Sequence, residues 1–81
     1  MSTLSHNEAV ETIADSLSGA LVIGSMLTGQ NPLSLFRNKV AEDREGFVQI
    51  ASEQYTEWTG EPAPSTLPED LTKAVEARLG S

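Results

Sequence analysis

Cysteine is absent from the 81 residues, so no disulfide can staple the fold and no thiolate can bind a metal. Histidine occurs once, at His6, which leaves a nucleophile–base pair or an imidazole metal site almost nothing to build on. Basic residues number five (Arg37, Lys39, Arg44, Lys73 and Arg78) against twelve acidic ones, for a net charge of −7. Phosphate binding works through clustered cations, and these are dispersed; the composition argues against nucleic acid and against anionic membrane surfaces. A long hydrophobic run is missing too. The strongest one, Ala20–Leu27, has eight residues and is closed by Gln30-Asn31-Pro32, whereas a membrane span takes about 20. A phosphate loop is also missing, because Gly19, Gly24 and Gly29 lack a following lysine. With no cysteine and no recognisable signal peptide, the expected compartment is the cytoplasm.

These absences narrow how the chain can be stable. A domain this short buries only about 60% of its unfolded surface. Small folds usually add disulfides, a metal or a partner subunit. The first two are missing here, so self-association is the expected remedy.

What is present is helical pattern. The segment from Ser16 to Phe36 carries no charge, and within it Ala20–Leu27 is apolar on every side. A helix of that kind has to be covered from several directions, by the rest of the chain or by a second copy. Ser5-His6-Asn7-Glu8 reads as a capping box. Val10, Ile13, Ala14, Leu17 and Leu21 follow at helical spacing, and Gly29 supplies a stop. The first predicted helix therefore spans about 6–28. Ser16, Ala20, Gly24 and Thr28 recur every four residues, a small-residue strip that permits close helix contact with a neighbour in the same chain or in another.

Asn31-Pro32 caps a second predicted helix over about 32–59, with Gly60 as its stop. Its apolar stripe is Leu33, Phe36, Val40, Phe47, Ile50, Ala51 and Trp58. The stripe is interrupted at Glu42-Asp43-Arg44-Glu45-Gly46, which reads as a kink or break, a polar layer that sets register, or a contact site. Unbroken, this helix would be about 40 Å long. Glu61-Pro62-Ala63-Pro64-Ser65 is a stiff connector. Thr66-Leu67-Pro68-Glu69 then reads as a second capping box for a short helix over about 67–79, with Leu67, Leu71, Ala74, Val75 and Leu79 on one face. No segment alternates as a half-buried strand does. The expectation is a single all-α domain: a hairpin of two long helices plus a short C-terminal helix, assembled as a homodimer or a higher helical bundle.

No constellation of catalytic or metal-binding residues emerges, and no cofactor is expected. Glu8, Glu11 and Asp15 share a helical side and read as a solvated acidic face, with His6 solvated beside them. Asp15-Ser16-Leu17 matches the tripeptide that carries phosphopantetheine in acyl carrier proteins. Here it falls inside a helix, and the uncharged Ala20–Leu27 replaces the acidic recognition helix that should follow. The best-supported expectation is a small acidic non-enzymatic interaction protein, an inhibitor or adaptor that binds a larger partner with a basic surface, as in the contest between phages and bacteria. Ala20, Leu21, Gly24 and Leu27 are the expected oligomer interface; Asp43, Arg44, Tyr55 and Trp58 are the expected partner contacts, with Tyr55 and Trp58 also reading as a lid over the core. Alternatives are a structural subunit of a homo-oligomeric assembly, or a small-ligand binder with an inter-subunit pocket near Arg44 and Tyr55.

Overall fold

In the computed structural model residues 3–80 are described. They form four α-helices: α1 His6–Thr28, α2 Pro32–Glu42, α3 Arg44–Thr59 and α4 Leu67–Leu79. Among the described residues there is no strand. At 1.5 Å per residue α1 is about 35 Å long and sets the longest dimension of the molecule, 39 Å.

The helix ends form as local chemistry dictates, with one exception. Ser5 and Glu8 make the reciprocal capping box, Ser5 N–H donating to Glu8 Oε1 (3.1 Å) and Glu8 N–H to Ser5 Oγ (3.3 Å). The bond from the Ser5 amide, then that from its hydroxyl, holds the Glu8 carboxyl below the usual carboxylate range. Gly29 and Gly60 end α1 and α3 in the left-handed region, at φ 74° and 73°, where a Cβ is costly. Asn31 Oδ1 accepts from the amides of Leu33 and Ser34 at the start of α2. The exception is Thr66. It sits in helical conformation and makes no side-chain cap, so the second capping box does not form. α4 starts on the conformational preference of Pro68 instead.

The long second helix is in fact two. Asp43, at φ −144° and ψ 70°, interrupts it, and the Asp43 carboxylate turns back to accept the Gly46 amide at 3.1 Å. The chain break and the new N-cap are therefore one residue. Gly46 leaves room for it, because a Cβ at that position would meet the Asp43 carboxylate and push the cap aside. Asp43→Ala should cost about 1 kcal/mol through loss of the cap, measured as a lowered urea midpoint with an unchanged m-value.

The break re-phases the apolar stripe. α3 buries Ala51, Tyr55 and Thr59, while Ile50 and Trp58 stay 55% and 43% exposed. Within the core, Ile13 of α1 and Leu67, Leu71 and Val75 of α4 are the largest fully buried side chains. α4 thus forms the central contact with α1 rather than a light cover on a hairpin. The two run in the same direction: His6 meets Asp70 near their starts, and Arg78 meets Glu11 and Asp15 near the end of α4. α3 runs the other way, placing Tyr55 beside His6 and the Trp58 carbonyl on the Leu4 amide. Arg37 of α2 forks onto Glu76 of α4, at 3.0 and 2.8 Å.

This arrangement leaves one large part of α1 uncovered. α4 ends abreast of Asp15, and α1 continues about 20 Å beyond it. Among the described residues, the stretch expected to be buried on several sides is covered by α2 and the first turns of α3. Leu21 is buried; Val22, Ile23, Met26 and Leu27 are 42%, 62%, 79% and 83% exposed.

Candidate functional site

The second half of α1, together with α2 and the start of α3, encloses an open groove of about 710 Å³. Leu17, Ala20, Leu21 and Gly24 form the α1 wall, Leu35, Phe36 and Val40 the α2 wall, and Phe47 and Ile50 the α3 wall. Phe36 and Phe47 meet edge to face in its lining, with centroids 5.8 Å apart and planes at 77°. Lys39, Glu42, Asp43 and Gly46 complete the lining. The groove exists because the break at Asp43 turns α3 away from the line of α2, so the two helices diverge over α1.

A ridge borders the groove. Leu27 lies one turn beyond Gly24, and Ile23 precedes it; both face solvent. Isolated exposed apolar side chains are ordinary, but a contiguous group of this size marks an interaction surface. By length and composition α1 also qualifies as a membrane-crossing helix, near the N-terminus. In this fold its first half is the core helix of the bundle, with Ala9, Ile13 and Ala14 at most 1% exposed.

The expected interface residues come together here, though not all in the same role. Ala20 and Gly24 line the groove, Leu27 stands on the ridge, and Leu21 is buried in the chain's own core at 8% exposure. Gly24 packs within the chain: a Cβ there would lie 3.2 Å from Leu35 Cδ2. The small-residue strip is thus at least partly spent on the α1–α2 contact.

The expected partner contacts scatter. Asp43 is the α3 cap and lines the groove. Arg44 is exposed and lines a separate cleft with Phe36, Arg37, Val40, Ala41 and Thr72, which does not include Tyr55. Trp58 is exposed at the far end of α3. Tyr55 is only 4% exposed, so in this fold it is a core residue and offers no surface to a partner.

His6 also departs from expectation. It is not a freely solvated side chain. Nδ1 lies 3.0 Å from the Tyr55 hydroxyl and Nε2 2.9 Å from Asp70 Oδ2. One imidazole thereby ties the starts of α1 and α4 to α3. The buried tyrosine explains the link, because a phenol in a core needs a partner for its polar tip. Periodicity could not have paired residues 49 apart; an alternative phase for α3 that buried Tyr55 was the one usable signal. His6→Ala should cost about 1–2 kcal/mol by orphaning the Tyr55 hydroxyl and the Asp70 contact. His6→Ala in a Tyr55→Phe background should cost less, a coupling that thermal melts of the four variants would measure.

The acidic side of α1 is likewise engaged. Arg78 donates to Asp15 Oδ1, the Glu11 carboxylate and the Glu11 carbonyl. Among the described residues no three His, Asp or Glu side chains converge as a metal site. Comparison with protein-family models, with curated proteins and with solved structures gives no significant match to this chain.

Proposed function

We propose that this chain is a non-enzymatic protein-interaction module, an inhibitor or adaptor, that works by taking an apolar helix into the groove between α1, α2 and α3. The observation that carries the reading is the groove itself, apolar on three walls yet open, with Ile50 left 55% exposed in its lining. Amphipathic helices dock into hydrophobic grooves through side chains at i, i+3, i+4 and i+7. The groove carries Lys39 against Glu42 and Asp43, and this acidic balance, with the net charge of −7, favours a larger partner whose helix is flanked by basic residues. A chain without cysteine is compatible with the reducing cytoplasm, the compartment this reading assigns. The cluster of His6 with Tyr55 and Asp70 uses a hydroxyl held in the core, which favours a binding role over turnover.

A second reading, a structural subunit that assembles with its own kind, is favoured by the exposed Ile23, Met26 and Leu27. Photo-crosslinking separates the two. A photoreactive residue at position 50 should capture a protein other than this chain in cells of the source organism, whereas a self-assembling subunit would capture only further copies. One at position 69, exposed on α4, should not. Equal capture from both positions, or none from position 50, removes the reading.

A further inference from the structure

We infer that the helix seated in this groove in the free protein is α1 of a second copy, so that the chain is a two-fold dimer in which Ile23 and Leu27 of each copy enter the groove of the other. The inference rests on the reading of the groove as a protein-docking surface and names its occupant.

Three observations point to a second copy. The first is charge. Two chains of net charge −7 repel, and they meet at least cost where charge is missing or is paired with its opposite. Residues 16–36 carry none, and that segment supplies the ridge, the α1 wall and the Leu35 and Phe36 part of the α2 wall. The charges that do line the groove have both signs, Lys39 against Glu42 and Asp43. A copy turned by a two-fold axis can set its cation on the other copy's anions.

The second observation is shape. Ridge and groove lie side by side on one helix, since Ala20 and Gly24 are groove wall while Ile23 and Leu27 project next to them. A two-fold interface needs a self-complementary patch, in which each residue i meets j while j meets i. A projection beside a recess of matching apolar character meets that condition. A ridge on the opposite side of the molecule from the groove would have led to rings or open chains instead.

The third is area. Val22, Ile23, Met26, Leu27 and Ile50 present on the order of 600 Å² of exposed surface, the upper end of what one patch on a monomer shows. A stable interface takes roughly 800 Å² per subunit, which this surface approaches once the remaining groove walls are drawn in. The chain also lacks a disulfide, so pairing supplies burial that so small a core does not.

The test uses the full chain. Light scattering behind a sizing column, over a hundredfold dilution, should give twice the 8.7 kDa chain mass at the upper concentrations. Leu27→Glu and Ile50→Glu place a charge at positions already 83% and 55% exposed in one copy, so both should fold with unchanged helical circular dichroism. Each should weaken pairing about 100-fold or more, because the charge would be buried unpaired. Lys73→Glu, exposed on α4, should leave the mass unchanged. A photoreactive residue at position 50 in a mixture of isotope-labelled and unlabelled protein should crosslink between copies, onto the second half of α1.

A wild-type chain that stays at 8.7 kDa throughout overturns the inference. So does a dimer that both glutamate variants leave intact. If the monomer instead sediments with phosphatidylcholine vesicles, the occupant of the ridge is lipid and self-pairing is wrong. A monomer whose position 50 still captures a foreign protein in cells refutes self-pairing and leaves the docking reading standing. A monomer that captures nothing refutes both.

Discussion

Replacing Leu71 with alanine is expected to cost about 3 kcal/mol, because a fully buried leucine is cut back where its neighbours can only partly close the space. Leu71 is 0% exposed in the first half of α4, on the apolar face it shares with Leu67 and Val75. The loss is large against the total, since small domains have only about 5–15 kcal/mol and one of this length sits near the lower end. A thermal melt followed by circular dichroism should show a midpoint lowered by about 15 °C or more. The mechanism separates this variant from Leu27→Ala, which removes a side chain that is 83% exposed and should leave the melting of a single copy within about 0.5 kcal/mol of wild type. Equal losses from the two would mean that the core is not centred on the α1–α4 contact.

The second large effect concerns Gly24. A leucine there has to pass the point where a Cβ already lies 3.2 Å from Leu35 Cδ2. Leu35 must then move, and it belongs to the groove wall as well as to the α1–α2 contact. Overpacking of this kind costs about 1–3 kcal/mol, and the better helix propensity of leucine returns at most about 1 kcal/mol. The expected net result is a melting midpoint lowered by about 5–10 °C, together with a changed groove. Gly24→Ala asks for only a few tenths of an ångström from a flexible side chain. It should fall within about 1 kcal/mol of wild type, with the propensity gain deciding the sign if Leu35 yields. A Gly24→Leu protein with the wild-type midpoint would show that α2 shifts freely on α1, and that the groove is adaptable rather than formed in advance.

Much of this fold is written in local chemistry. The capping box at Ser5 and Glu8, the stops at Gly29 and Gly60, the Asn31 cap and the α4 face of Leu67, Leu71 and Val75 all depend on residues within a turn or two of each other. Sequence spacing is enough to identify such features. The same locality explains the error at Thr66, whose residues have the capping pattern but whose backbone is turned into helical conformation by the connector before it. The gap between Val40 and Phe47 was visible as a gap. That Asp43 ends one helix and caps the next depends on its backbone angles, φ −144° and ψ 70°, which no residue pattern specifies.

The sequence by itself determined that the chain is helical, roughly where each helix starts and stops, which face of α4 is apolar, and that residues 16–36 carry no charge. It could not determine which apolar residues are covered. Covering depends on the direction of the helices after their loops, and a turn of a few residues sets that direction through interactions between distant segments. Only the tertiary structure decided that α4 lies along the first half of α1 and ends abreast of Asp15, leaving Ile23, Met26 and Leu27 in solvent. Only it decided that α3 turns Tyr55 inward onto His6 and leaves Ile50 at the groove. Hydrophobicity states what should leave water, and the packing geometry states what one copy of the chain is able to hide.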